Sequence, residues 1–80
     1  MKKLSISYFA LLRQERGLSD EEIRTSAVNV GELFEELKAL HSFQLTRLEV
    51  RAAVNSEIVS WDTSIQDGDR ILLIPPVAGG

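Results

Sequence analysis

One amphipathic helix stands out in this sequence, at residues 29–40, which read Asn-Val-Gly-Glu-Leu-Phe-Glu-Glu-Leu-Lys-Ala-Leu. Asn29 precedes Glu32 by three residues, which is the spacing of an N-cap residue and the glutamate of a capping box. Apolar side chains then recur on one face of the helix, at Val30, Leu33, Phe34, Leu37 and Leu40. The stretch predicts a helix of about three turns whose apolar stripe needs a second layer to cover it.

The residues before this helix predict a strand, a short helix and a second strand. In residues 2–9 the side chains alternate, with Leu4, Ile6 and Tyr8 on one side and Ser5 and Ser7 on the other. This period of two predicts a strand with one buried face, and Phe9 falls on the serine side, which is expected to meet solvent. Residues 10–16 are good helix formers, and Gly17 can end them in the left-handed conformation. Residues 21–28 alternate again and predict the second strand.

The residues after the main helix predict three more strands. Residues 41–48 are expected to form a loop, and strands are expected at 49–54, 57–60 and 70–74. Asn55-Ser56 is suited to a two-residue hairpin turn, and Asp67-Gly68-Asp69 to a turn before the last strand. The order strand, strand, helix, strand, strand, strand predicts an α+β fold of the ubiquitin-like β-grasp type, with a mixed sheet on one main helix. The predicted domain covers residues 1–74, and an extended tail covers residues 75–80.

Composition excludes several classes of function. The chain has 80 residues, which is one domain, and its apolar share of 44% is ordinary for a globular protein. The net charge is −3 and the basic residues are scattered, so no nucleic-acid-binding face is expected. The absence of cysteine excludes thiol catalysis and thiolate metal sites. No apolar run approaches the roughly 20 residues of a membrane helix, and the expected location is the cytoplasm.

The C-terminal tail is the expected functional element. It reads Pro75-Pro76-Val77-Ala78-Gly79-Gly80 and can extend about 20 Å. The prolines favour an extended exit from the sheet, and the two glycines let the end enter a channel too narrow for a Cβ atom. The alternative is a terminal Gly-Gly that occurs by chance, or a loose polar end.

Strand parity predicts a docking surface for a partner beside this tail. If Ile71 and Leu73 face inward, Leu72 and Ile74 face outward on the same side as Phe9, and Ile58 is a further candidate. Exposed apolar clusters on small proteins usually mark contact sites. The alternative is that strand ends or a loop cover these side chains.

Other chemistry-bearing residues are expected to be structural. His41 lies at the end of the main helix, where a cation is favoured by the helix dipole, and has no second ligand nearby in sequence. Trp61 is expected to be a packing residue. No metal site is expected, because the Asp67 and Asp69 turn supplies too few oxygen ligands.

Three stretches resemble the molybdopterin synthase small subunits, which are ubiquitin-like sulfur carriers of the MoaD type. They are Ala53-Val54-Asn55, Asp67-Gly68-Asp69 and the tail from Pro75 to Gly80. The resemblance implies that a ubiquitin-activating-like adenylyltransferase uses ATP to join Gly80 to AMP. A sulfur donor then displaces AMP, which leaves a thiocarboxylate on Gly80 that supplies sulfur to a cyclic pyranopterin to form the dithiolene of molybdopterin.

The same resemblance implies partners and roles. The tail residues Pro75, Pro76, Val77, Ala78 and Gly79 would insert into the large subunit, which would hold the active site. Phe9, Ile58 and Ile74 would contact that subunit in a heterotetramer, and the chain would be a non-catalytic subunit without a cofactor of its own. Two alternatives remain, a sulfur carrier of another pathway such as thiamine synthesis and a ubiquitin-like modifier of lysines. A modifier is disfavoured because the tail lacks the Arg-containing basic stretch of ubiquitin.

Overall fold

The computed structural model describes residues 1–76, which form five strands and two helices. In chain order these are β1 (Lys2–Tyr8), α1 (Ala10–Arg16), β2 (Asp20–Thr25), α2 (Val30–His41), β3 (Arg51–Val54), β4 (Glu57–Val59) and β5 (Arg70–Ile74). Neither helix within residues 1–76 has the length and hydropathy that crossing a membrane requires.

The sheet has the strand order β2-β1-β5-β3-β4 and is mixed. β1 and β5 run parallel at its centre, and the other three pairs are antiparallel. Its inner face and α2 share one apolar core, whose fully buried members include Leu4, Ile6, Leu33, Phe34, Leu37, Ile71 and Leu73. This arrangement is the predicted β-grasp fold, in which alternate side chains of the central strands bury the stripe of α2.

The start of α2 has the predicted cap with one difference. Asn29 Oδ1 accepts a hydrogen bond from the Glu32 N–H at 2.8 Å, as expected for an N-cap residue. The Glu32 carboxylate reaches back to the N–H of Val28, at 3.2 Å, and not to that of Asn29. Two backbone donors at the helix start are therefore satisfied by side chains.

The apolar stripe of α2 ends one turn earlier than the sequence predicts. Val30, Leu33, Phe34 and Leu37 are buried, but Leu40 is 68% exposed. At about 100° per residue, position 40 is about 80° from Val30 around the helix axis, whereas position 41 is about 20° from it. His41 is accordingly half-buried, and Leu40 faces solvent.

Several predicted strand ends were wrong, because local side-chain hydrogen bonds end the ladders. β2 stops at Thr25 and not at residue 28, since Thr25 Oγ1 accepts from the Ala27 N–H at 3.0 Å. β3 starts at Arg51 and not at residue 49, because Glu49 N–H donates to the Thr46 carbonyl and its carboxylate accepts from the Thr46 N–H. β1 and β4 end at Tyr8 and Val59, each one residue earlier than predicted.

Ser7 was predicted to meet solvent but is only 4% exposed. Its hydroxyl donates to Asp20 Oδ1 at 2.6 Å, and the Arg70 guanidinium donates to the same hydroxyl at 3.4 Å. Polar neighbours on the outer face therefore cover Ser7, and the hydroxyl is satisfied in its buried position.

The two predicted turns are confirmed, and they are joined to each other. Asn55 and Ser56 both have positive φ, of 51° and 74°, as the two-residue hairpin requires, and Gly68 has φ 90°. Asn55 Nδ2 donates to Asp69 Oδ1 at 2.9 Å, and Asn55 Oδ1 accepts from the Arg70 N–H at 3.0 Å. The side chain of Asn55 thus fixes the hairpin to the start of β5.

A charged hydrogen-bond cluster fastens α1 to β2. Arg16, in the last turn of α1, donates to both carboxylate oxygens of Glu21 at 2.8 and 2.7 Å. The Tyr8 hydroxyl donates to the same carboxylate at 2.6 Å. The Arg16 hydrogen bond holds the pKa of Glu21 below its usual range, although burial opposes the shift. The pKa of Tyr8 is raised, first by burial and second by its hydrogen bond to the Glu21 carboxylate.

We expect Asn29→Ala to lower the free energy of unfolding by about 0.5–2 kcal/mol, because the Glu32 N–H loses its acceptor. Chemical denaturation of the purified protein measures this change. Asn29→Asp keeps an acceptor at the same place and serves as the control. Equal losses in both variants would contradict the capping role.

We expect Glu21 to contribute to the acid sensitivity of the fold. Its folded pKa is lowered, so its stabilisation is complete above the unfolded value of about 4.3 and is lost as the pH falls through the folded pKa. Glu21→Gln should therefore lower stability near neutral pH and reduce the further loss between about pH 6 and pH 3. Unfolding curves across this range test it, with Glu22→Gln, an exposed neighbour on β2, as control. If Glu21→Gln lost as much stability on acidification as the unchanged protein, this role of Glu21 would be refuted.

Candidate functional site

The C-terminal tail leaves from the middle of the sheet. β5, which lies between β1 and β3, ends at Ile74, and the chain continues through buried Pro75 and exposed Pro76. We call Ile74–Pro76 the tail root. The other predicted tail residues, Val77, Ala78, Gly79 and Gly80, lie outside the described residues. Because neither proline has an N–H to donate, the ladder of β5 ends at the root.

Three of the predicted partner-binding residues lie on the outer face of the sheet, away from α2, and the fourth, Phe9, follows β1 directly. The strand registers place Leu72 beside Ala53, and Ala53 beside Ile58, in one row across the sheet. Ile58 is 55% exposed and Phe9 40%, whereas Leu72 and Ile74 are half-buried. The structure therefore places Phe9 and Ile58 beside the tail root, on opposite sides of Ile74, with Leu72 two residues earlier on β5. The role of all four residues in binding stays a prediction.

An apolar groove lies on the α1 side of the tail root and has a volume of about 680 Å³. Phe9, Leu11 and Leu45 form its walls together with Ile74 and the two prolines, and none of its lining residues is ionisable. Its size falls within the range of about 300–1,000 Å³ that is typical of ligand pockets. The groove can receive an apolar side chain.

A second groove lies on the β3–β4 side of the tail root, with a volume of about 860 Å³, and we call it the arginine groove. Arg47 and Arg51 line it together with Ile58, Trp61 and the tail root. The tail root is therefore a ridge between two grooves of different chemistry. Leu72 lines neither groove.

Leu11, Leu45 and Arg51 are among the lining residues that the sequence did not predict. Leu11 carried a signal, because Leu11 and Leu12 are adjacent on a helix and cannot both face the core, and only Leu12 is buried. Leu45 lies in a loop without periodicity, and the position of Arg51 beside the tail root depends on the pairing of β3 with β5. The positions of Leu45 and Arg51 in the grooves could therefore be seen only in the tertiary structure.

The turn from β1 into α1 has an unusual backbone. Ala10 has a positive φ of 51°, a conformation that costs a non-glycine residue on the order of 1 kcal/mol. Phe9, the N-cap residue of α1, is extended with φ −130°, and both residues line the apolar groove. The strained turn lets the chain reverse at once, so that Phe9 stays beside Ile74.

The ionisable and aromatic residues outside the grooves have structural surroundings. The His41 ring packs on Phe43 with 5.6 Å between ring centroids. Burial and then nearby Arg16 lower the pKa of His41, which opposes the charged form that the helix dipole would stabilise. Trp61 packs on Phe34 at 5.2 Å and donates to the Arg47 carbonyl, as a packing residue. Within residues 1–76, no three acidic, histidine or cysteine side chains are grouped to hold a metal.

Two known proteins are similar to this chain over 96% of its length. The molybdopterin synthase sulfur carrier subunit of Escherichia coli (strain K12) is 31% identical over 80 residues, which are 96% of this chain and 99% of the relative. The solved structure of a putative molybdopterin converting factor, subunit 1, from Pyrococcus furiosus has a TM-score of 0.79 at 34% identity, over 96% of this chain and 100% of that chain.

A third likeness shows the fold alone. A chain in the protein-protein complex of subunits 1 and 2 of the molybdopterin-converting factor from Helicobacter pylori 26695 has a TM-score of 0.68. Its identity is 24%, over 98% of this chain and 99% of that chain.

The profile of the ThiS family matches residues 6–80, which reach from β1 to the last glycine. The chain therefore belongs to the ThiS family of ubiquitin-like sulfur carriers, the family that its sequence resembles.

Proposed function

We propose that this chain is the sulfur carrier subunit of a molybdopterin synthase and that Gly80 carries the sulfur. The observation that carries the proposal is the family match, which extends through Gly80, together with full-length similarity to the sulfur carrier subunit of Escherichia coli. A likeness limited to the β-grasp body would support the fold without the function, since one fold serves many functions.

The chemistry starts from the carboxylate of Gly80, which is unreactive toward sulfur nucleophiles. A ubiquitin-activating-like adenylyltransferase joins this carboxylate to the AMP part of ATP, and pyrophosphate leaves. A sulfur donor attacks the resulting acyl adenylate at its carbonyl carbon, AMP leaves, and a thiocarboxylate remains. The thiocarboxylate transfers its sulfur to a cyclic pyranopterin, and water cleaves the acyl–sulfur bond and restores the Gly80 carboxylate. Two loaded chains in succession supply the two sulfur atoms of the molybdopterin dithiolene. The chain needs no bound cofactor for these steps, because ATP is used in the activating enzyme.

The sequence of the chain suits a carrier. It contains no cysteine, so the terminal carboxyl group is the natural place for a covalently carried sulfur. The tail has six residues after Ile74, which can reach about 20 Å, and its last two have no side chain. A tail of this length can place Gly80 inside a partner while the β-grasp body stays outside.

The partner that we propose is the large subunit of the synthase, which holds the active site. The Helicobacter pylori structure contains subunits 1 and 2 of a molybdopterin-converting factor in complex, and its chain shares this fold. The apolar groove and the exposed side chains of Phe9 and Ile58 offer this chain a surface for such a contact. We propose a heterotetramer of two small and two large subunits.

Deletion of Gly80 tests the site of sulfur attachment. The full chain should restore molybdopterin synthesis in a bacterial strain that lacks its own sulfur carrier subunit, and the variant without Gly80 should restore none. A mass spectrum of the full chain from such cells should show one oxygen replaced by sulfur. Rescue of a strain blocked in thiamine sulfur transfer instead, or adducts on protein lysines, would favour the alternative carrier or the modifier.

Substitution of Ile74 tests the docking surface. Ile74→Glu should weaken binding to the large subunit by about tenfold or more, because it buries a carboxylate where both grooves meet. Isothermal titration against the purified large subunit measures the affinity. Leu40→Glu makes the same kind of change at an exposed leucine on α2 and is the control. Equal affinities of the two variants would remove Ile74 from the contact.

A further inference from the structure

The two grooves beside the tail root differ in charge as well as in position. The apolar groove has no ionisable side chain, whereas the arginine groove contains two guanidinium groups and the Glu49 carboxylate. Any protein that takes the tail into a channel covers the tail root and thus parts of both grooves. The charges of the arginine groove therefore decide what the covering surface has to supply.

Most charges in the arginine groove already have partners. Arg47 forms an ion pair with Glu35 of α2 at 3.1 Å. The Glu49 carboxylate accepts hydrogen bonds from the N–H and the hydroxyl of Thr46, at 3.1 and 3.2 Å. Asp62, which follows β4 at the same end of the sheet, accepts from the Ser60 hydroxyl at 2.5 Å. Arg47 thus has a counter-charge within the chain, and the two carboxylates are hydrogen-bonded to neutral donors.

Arg51 differs from these residues. Within residues 1–76 its side chain forms neither an ion pair nor a hydrogen bond, and it is exposed. In the register of β3 and β5 it lies directly opposite Ile74, on the outer face of the sheet. An unpaired cation thus stands at the start of the tail, on a chain whose net charge is −3.

A partner that covers the tail root also removes water from Arg51. An apolar partner surface at this place would leave the guanidinium desolvated and unpaired, which opposes binding. A carboxylate at the same place gains from the lowered local dielectric and from the bidentate geometry of arginine with carboxylates. Binding at the tail root is therefore favoured for a surface that is acidic on the β3 side and apolar on the α1 side.

We propose that the large subunit places a carboxylate against Arg51 and an apolar side chain in the groove between α1 and the tail root. This proposal rests on the proposed function, and it names the chemistry of the partner's surface. Two contacts of different chemistry on opposite sides of the tail define the rotation of the partner about the tail. The apolar contact contributes buried area, and the Arg51 contact selects the correct orientation.

Charge reversal tests the proposal. Arg51→Glu should weaken binding to the purified large subunit by about tenfold or more at low salt and should weaken the salt dependence of the affinity. Arg24→Glu makes the same change in net charge on the same face, at the far edge strand β2, and should change the affinity by less than about threefold. Both arginines are exposed strand residues, and circular dichroism checks that both variants fold.

Arg51→Leu decides between an acidic and an apolar partner surface. If the large subunit presents a carboxylate, leucine leaves that group unpaired and weakens binding by about tenfold. If the surface is apolar, leucine removes a desolvated charge and the affinity rises, which would overturn the proposal. Equal effects of Arg51→Glu and Arg24→Glu would overturn it as well and would leave the proposed function intact. Failure of the unchanged chain to bind the large subunit would defeat both.

Discussion

The structure depends on the parallel pairing of its first and last strands. β1 and β5 lie side by side at the centre of the sheet, with Ile6 opposite Ile71 and Tyr8 opposite Leu73. The inner side chains of both strands are almost fully buried against α2. Parallel neighbours need a crossover, and here the connection supplies α2 and the remaining strands. The tail therefore begins at the end of a central strand that is paired on both sides.

Much of the fold could be predicted because its signals are local. The Asn29 cap, the positive φ values at Asn55 and Ser56, and the period of β1 follow from neighbouring residues, and each is present. The errors arose where a distant residue intervenes or where a pattern runs out. Ser7 is buried because Asp20 and Arg70 arrive from other strands. Leu40 continues the apolar spacing in the sequence, but in the helix His41 lies closer to the buried face and Leu40 is exposed.

In the candidate site, too, the features set by local sequence could be predicted, and those set by distant residues could not. The outward direction of Phe9 and Ile74 follows from strand parity, and the tail was evident from its composition. The grooves could not be predicted, since Leu45 comes from an irregular loop and Arg51 meets Ile74 only through the pairing of β3 with β5. The short helix α1 contributes both to the stability of the fold and to the candidate site. Its Arg16 holds the Glu21 carboxylate on one side, while Leu11 forms a wall of the apolar groove on the other.

The edges of the sheet limit its pairing with other copies of the chain. A sheet edge can recruit another copy by adding strands, and long apolar edges favour this. The edge strand β4 has only three residues, Glu57–Val59, and β2 carries Asp20, Glu21, Glu22 and Arg24. Neither edge provides a template for cross-β polymerisation. Pairing of edge strands between copies is therefore disfavoured, even though Phe9 and Ile58 leave apolar surface exposed.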